Sequence, residues 1–333
     1  MGGFSMKTLF SVLLVSFLST PFMAKAAPTK GFVAISQQRS LYVDYVAPKE
    51  GMPTVILLNG LTYSTEQWDD FAQVLIDRGV GVLRYDPFGM GQTLLRYAPI
   101  VSAIPIEDQI RDLESLLQVM NIKAPYNLAG LSYGGGLAAG FAAVYPEQVN
   151  KLIMMSPFTR PLDGQDSWIK AQIWATRQVN PYNQYSDDDL YDYFLHQIVY
   201  ATYPAAEPIV LENPYKLEGV FHLVQGVRHF IAENMTDKIP AGTLHLMVAR
   251  QDQYIPQNVL EDYWNKVPES ARASRLFVNG SEHKMVEAVP VFTASWVYEI
   301  LMNNPNISGG RTFEGYPFQN EADSNDVKLK VGP

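Results

Sequence analysis

A chain of 333 residues, 47% hydrophobic and 18% charged, carries enough apolar side chains for a large core, as one α/β domain or one with an insertion. Its 25 basic and 34 acidic residues leave a net charge of −9, which argues against nucleic acid or anionic membranes as partners. The absence of cysteine excludes disulfides, thiolate metal sites and cysteine lipidation.

Residues 1–26 read as a secretory signal. Lys7 supplies the positive start, Leu9 to Met23 the apolar stretch, and Ala24-Lys25-Ala26 a small-x-small cleavage site. The stretch is short and broken by Pro21, so no stable membrane anchor is expected. An exported chain without cysteine fits a bacterial periplasmic or secreted protein better than a eukaryotic secreted one. Next, Gly31–Ser36 and Leu41–Ala47 alternate in polarity around Gln37 to Ser40, the pattern of a hairpin. Strands and helices then alternate. Thr54–Asn59, Gly81–Asp86, Tyr126–Ser132 and Lys151–Ser156 are apolar strand runs. Helices are expected over Thr65–Arg78, Pro105–Ile122 and Tyr133–Tyr145, the last stopped by Pro146. Residues 158–240 break the alternation. They are helical in tendency, hold thirteen aromatic residues and read as a cap or lid. The alternation resumes with strand Leu244–Arg250, helix Val259–Val267, strand Ser274–Val278 and helix Val286–Met302. The chain from Asn303 is polar and is expected to drape over the surface or to be partly disordered. The pattern predicts an α/β fold: a mostly parallel, doubly wound sheet over 27–157 and 241–304, a helical insertion over 158–240 and a tail over 305–333.

The most informative stretch is Gly130-Leu131-Ser132-Tyr133-Gly134, at the junction of a strand and a small-residue helix. A serine at such a turn has a strained backbone and an outward hydroxyl, and its neighbours two residues away must be tiny. Its place at a helix N-terminus favours developing negative charge. Such a hydroxyl needs an imidazole to take its proton and a carboxylate to orient that imidazole, both from loops at the carboxyl ends of later strands. Of five histidines, His196, His222 and His229 fall in the insertion and His245 within a strand; His283 alone follows the last strand of the alternation. Asp252 follows strand Leu244–Arg250 and is the expected acid, with Asp86 its rival and Glu282 poorly placed. The order Ser132, Asp252, His283 is that of nucleophile-elbow enzymes. For the oxyanion, the amides of Tyr133 and of Leu61, in Asn59-Gly60-Leu61-Thr62, are the candidates. Ser186-Asp187-Asp188-Asp189 could suggest calcium, but a capping serine before an acidic first turn explains it better, so no metal and no cofactor is expected.

From Leu41 to Asn304 these features resemble the α/β-hydrolase superfamily of serine hydrolases, esterase- or lipase-like with a helical lid. Asp86-Pro87-Phe88-Gly89-Met90-Gly91 is similar to the family's Asp-x-x-Gly-x-Gly turn, and the loops of Asp252 and His283 to its acid and histidine loops. One departure is Asn59-Gly60 where the family usually has His-Gly; that histidine is generally structural. Serine at 132, where related dehalogenases and epoxide hydrolases carry aspartate, speaks against those reactions. The resemblance implies an exported hydrolase of carboxylic esters with apolar acyl or aryl groups, acting through an acyl-enzyme on a small molecule. The alternatives are the same triad on a lactone, thioester, amide or carbon–carbon bond, or a non-catalytic binding protein on this scaffold. Oligomeric state is left open.

Overall fold

The computed structural model describes residues 29–202, 213–317 and 330–331, so the expected signal lies outside it. In chain order the strands are β1 (Lys30–Ala34), β2 (Ser40–Val46), β3 (Thr54–Leu58), β4 (Gly81–Asp86), β5 (Tyr126–Leu131), β6 (Val149–Met155), β7 (Leu244–Ala249), β8 (Arg272–Val278), β9 (Arg311–Gly315) and β10 (Lys330–Val331). They form one sheet in the order β1-β2-β4-β3-β5-β6-β7-β8-β9-β10. The pairs from β4 through β9 are parallel, whereas β1–β2, β2–β4 and β9–β10 are antiparallel. Crossovers between parallel strands run through helices: α1 (Asp69–Asp77), α2 (Gly91–Tyr97), α3 (Ile106–Val119), α4 (Tyr133–Val144), α5 (Asp163–Val179), α6 (Asp187–Thr202), α7 (Lys216–Gly226), α8 (Gln257–Lys266), α9 (Met285–Ala288) and α10 (Pro290–Leu301).

The central strands are apolar throughout because both faces are covered. On β3, Ile56 and Leu58 join a core with Ile110 and Leu113 of α3 and Leu137 of α4; Val55 and Leu57 join a second core with Phe71 of α1 and Trp296 of α10. Alternate residues thus feed opposite layers, as the two-residue strand period requires. The chain leaves β3 for β4 on one side and returns to β5 on the other, so the carboxyl end of β3 is a switch point, where open α/β sheets bind ligands. The register sets Leu58 opposite Gly130, which brings the loop after β3 beside Ser132.

The polar C-terminal stretch departs from expectation. Arg311–Gly315 is not a surface tail but a parallel strand along β8. Its one large apolar residue, Phe313, is fully buried with its ring 5.2 Å from that of Trp296. A single inward side chain on a five-residue strand gives almost no periodic signal, which is why the sequence reads as a tail.

Among the described residues of 158–240 there are three α-helices, α5 to α7, and no strand. Ile169, Ile173, Leu190, Tyr191 and Leu195 give them an apolar cluster of their own. The segment is clasped at its root: the Ala232 N–H donates to the Thr159 carbonyl at 2.7 Å, and the buried Glu233 accepts from Thr159 Oγ1 and Arg160. Ser186 caps α6, accepting from the Asp189 N–H at 3.0 Å while Asp189 accepts from the Ser186 N–H at 2.9 Å, the reciprocal arrangement of a capping box.

Candidate active site

Ser132 joins β5 to α4 with φ 54° and ψ −116°, a left-handed backbone that a β-carbon disfavours by about 1–3 kcal/mol. Backbone bonds hold it there: its N–H donates to Met155 O and its carbonyl accepts from the Phe158 N–H, both at 2.9 Å. Glycine is required on both sides. A β-carbon on Gly130 would lie 2.2 Å from Gly134 O, and one on Gly134 would lie 2.0 Å from Leu58 O. Tyr133 is the first residue of α4, so its amide has no acceptor within the helix and adds to the positive end of the helix dipole.

Asp252 and His283 stand on neighbouring loops after β7 and β8. His283 Nδ1 and Asp252 Oδ2 are 2.8 Å apart, with the Asp252 side chain fully buried. The other carboxylate oxygen accepts from the N–H groups of Tyr254 at 2.9 Å and Ile255 at 2.8 Å. Burial pushes the Asp252 pKa up, but the hydrogen bond and charge of His283, with the Ile255 N–H and the Ser156 hydroxyl, outweigh it and hold the group below its usual value. An ionised carboxylate only accepts, so Nδ1 carries the hydrogen and Nε2 is left with a free lone pair. The loops are stitched together by Gln251 N–H to Ser281 O at 2.9 Å, and the Tyr254 ring packs edge-on to His283 with centroids 5.2 Å apart.

Ser132 and His283 line one cavity of about 560 Å³, together with Leu61 and Tyr133. That volume suits a small organic ligand. The loop after β3 sits against the elbow: a β-carbon on Gly60 would be 3.7 Å from that of Ser132. Asp86, the rival acid, lies elsewhere in function. Its Oδ1 accepts from Thr65 N–H at 2.7 Å and Asn59 Nδ2 at 3.4 Å, and its Oδ2 from Gln92 N–H at 2.8 Å. Burial pushes it up to about 7 against these donors. It ties together the loops after β3 and β4, and Asn59, which also accepts from Trp68 Nε1 at 2.9 Å, is part of that tie. Glu282 is exposed.

One buried residue beside this centre is missing from the sequence reading. Ser156, fully buried with φ 38°, accepts from the Ala249 N–H at 3.2 Å and bonds Asp252. Its signal was only its place at the end of an apolar strand. The helical segment also contributes differently from expectation. Trp168, Trp174, Tyr182, Tyr185 and Tyr193 are exposed, and the cavity wall from α6 and α7 is chiefly aliphatic, with Leu195, Ile198, Val199, Val220 and Val224. Aromatic content was legible in the sequence, but not which face each ring occupies.

Solved structures with the same architecture include MGS-M2, an α/β-hydrolase enzyme from a Medee basin deep-sea metagenome library, at 19% identity and TM-score 0.60, covering 82% of this chain and 98% of that one. The enol-lactonase of Burkholderia xenovorans is 16% identical with TM-score 0.59, over 81% of this chain and 99% of that one. A curated relative, the cis-3-alkyl-4-alkyloxetan-2-one decarboxylase of Shewanella oneidensis, is 35% identical over 88 residues, which are 24% of this chain and 27% of that protein. The serine aminopeptidase S33 family matches residues 50–287, most of the chain and every residue of the centre described above. With the sheet order and the elbow, that match makes this chain a member of the serine aminopeptidase S33 family of α/β-hydrolases.

Proposed function

We propose that this hydrolase-family chain is a serine hydrolase of carboxylic esters. The observation that carries the reading is the 2.8 Å His283–Asp252 contact at a cavity that also holds the strained Ser132. Ser132 Oγ attacks the acyl carbon while His283 Nε2 takes its proton, and the imidazolium is stabilised through Nδ1–H by ionised Asp252. The Leu61 and Tyr133 amides hold the tetrahedral oxyanion, an interaction in which one lost donor costs about 2.7–4 kcal/mol. His283 then gives its proton to the leaving alkoxide and activates water to release the acyl group. Helices α5 to α7 act as a cap that selects the acyl group.

Although the family is named for an aminopeptidase, an α-ammonium calls for a carboxylate in the cavity, and among the described residues no aspartate or glutamate lines it. A lactone is the second reading. Ring opening of a cyclic ester is the same acyl transfer, and the partial match to a protein named for a four-membered lactone favours it. We further propose export, on the strength of residues 1–26. The decisive experiment is hydrolysis of nitrophenyl esters of increasing acyl length by the wild type and Ser132→Ala, with a fluorophosphonate label mapped by mass spectrometry. The adduct is expected on Ser132, and equal rates for the two proteins would refute the mechanism.

A further inference from the structure

The charge lining the cavity is opposite in sign to that of the chain. Acidic residues outnumber basic ones 34 to 25, yet among the described residues the lysine, arginine, aspartate and glutamate side chains that line the cavity are Arg228 and Lys284 alone. They arrive from different elements. Lys284 follows His283 on the loop after β8, and its Nζ is 5.8 Å from the centre of the Tyr63 ring, on the loop that carries Leu61. No carboxylate pairs with it among the described residues. Arg228 follows α7, with its guanidinium 3.7 Å from the centre of the Tyr191 ring. One of its nitrogens bonds Asp188 at 2.9 Å, but that carboxylate is largely in water and does not line the cavity, so most of the five donors of the fork remain for another acceptor.

Resting on the ester-hydrolase reading above, we infer that the preferred substrate is an aliphatic ester bearing a second, free carboxylate, which Lys284 and Arg228 receive. The aliphatic wall of α6 and α7 suits the chain of such a molecule. It would penalise an unpaired carboxylate, so the anion must meet a cation there. A chain of net negative charge repels anions in general, and a local reversal of sign confined to the cavity selects and orients one at that point.

The test compares the monoethyl ester of adipic acid with its neutral terminal-amide analogue, reading the ratio of kcat/KM values, which does not depend on the fraction of folded enzyme. The acid is expected to be favoured by about tenfold, in keeping with charge-assisted hydrogen bonds. Lys284→Met and Arg228→Gln should each lower the ratio severalfold, and the ratio should fall as ionic strength rises from about 0.01 M to about 1 M. If both esters are cleaved with a ratio near one that neither substitution moves, the inference is overturned while the ester-hydrolase reading stands. If neither ester is cleaved, binding of both to Ser132→Ala decides by calorimetry. Tighter binding of the acid, lost in the Lys284 and Arg228 variants, sustains the inference, and equal binding overturns it. Failure of the fluorophosphonate to label Ser132 strikes the underlying reading instead.

Discussion

Replacing Glu314 by alanine should slow catalysis from a strand that contributes nothing to the cavity. Glu314 on β9 bridges the two loops that carry Asp252 and His283: Oε1 accepts from Arg250 Nη2 at 2.5 Å and Oε2 from Asn279 Nδ2 at 2.7 Å. Arg250 lies two residues before Asp252, and Asn279 four before His283. Hydrogen bonds to a charged group contribute about 1.5–3 kcal/mol each. The Arg250 and Glu314 side chains are 33% and 26% exposed, which brings that pair towards the ~0.2–1 kcal/mol of surface ion pairs. The sum is about 2 kcal/mol, or a fall in melting temperature of about 4–8 °C for a large domain. The loops keep the Gln251–Ser281 bond and the His283–Asp252 contact, so they should shift by a fraction of an ångström. A full 1 Å error costs about 10²-fold. We therefore expect kcat to fall about tenfold with KM little changed, and Glu314→Gln, which keeps an acceptor, to lie between. Steady-state ester hydrolysis at a temperature where both proteins are folded, alongside thermal melts, reads both effects. A kcat within twofold of wild type would show that the loops hold their own geometry and that β9 is merely structural.

Asp252→Asn should reduce kcat about 10⁴-fold by misdirecting the His283 tautomer, measured with any ester that the wild type cleaves. Because Asp252 titrates below its unfolded value, the stability it contributes is fully present above the unfolded pKa and is lost as pH falls through the folded one; by circular dichroism the stability difference between wild type and Asp252→Asn should be constant above about pH 4 and shrink as pH falls below it. His245 acts in the same sense, at higher pH. Burial, with a lesser effect of Lys151, lowers it to about 3, so the folded state stays neutral while the unfolded chain takes up a proton below about pH 6.5. Stability should fall by up to about 1.4 kcal/mol per pH unit between those values, and His245→Gln should flatten that slope in urea titrations. Asp86→Asn places an amide against one of two backbone N–H donors and should destabilise by about 2–3 kcal/mol, with inactivation only through unfolding of the loop after β3. The proposed export is checked by expressing the full chain and sequencing the N-terminus of protein recovered from the periplasm or medium, which should begin at Ala27; protein retained in the cytoplasm with residues 1–26 intact would refute it.

The centre was legible where chemistry demands particular residues at particular strand ends. Gly130 and Gly134 announced the elbow because no other side chain fits, and the small number of histidines singled out His283, which the structure sets against Asp252. The parallel core was legible because apolar strands alternate with amphipathic helices. What stayed hidden depends on partners remote in sequence. Glu314 gains meaning only from Arg250 and Asn279, Ser156 only from Asp252, and Phe313 only from Trp296. The cation-lined cavity was equally invisible, since Arg228 and Lys284 lie in separate stretches with no shared motif.

The clasp between Thr159 and Ala232, closed by the buried Glu233, fixes where this enzyme can be re-engineered. Phe158 braces Ser132 from the near side of that clasp, so a splice made before it would disturb the elbow. Splices placed beyond Arg160 and before Ala232 would exchange α5 to α7 as a cassette and leave Ser132, Asp252 and His283 in place.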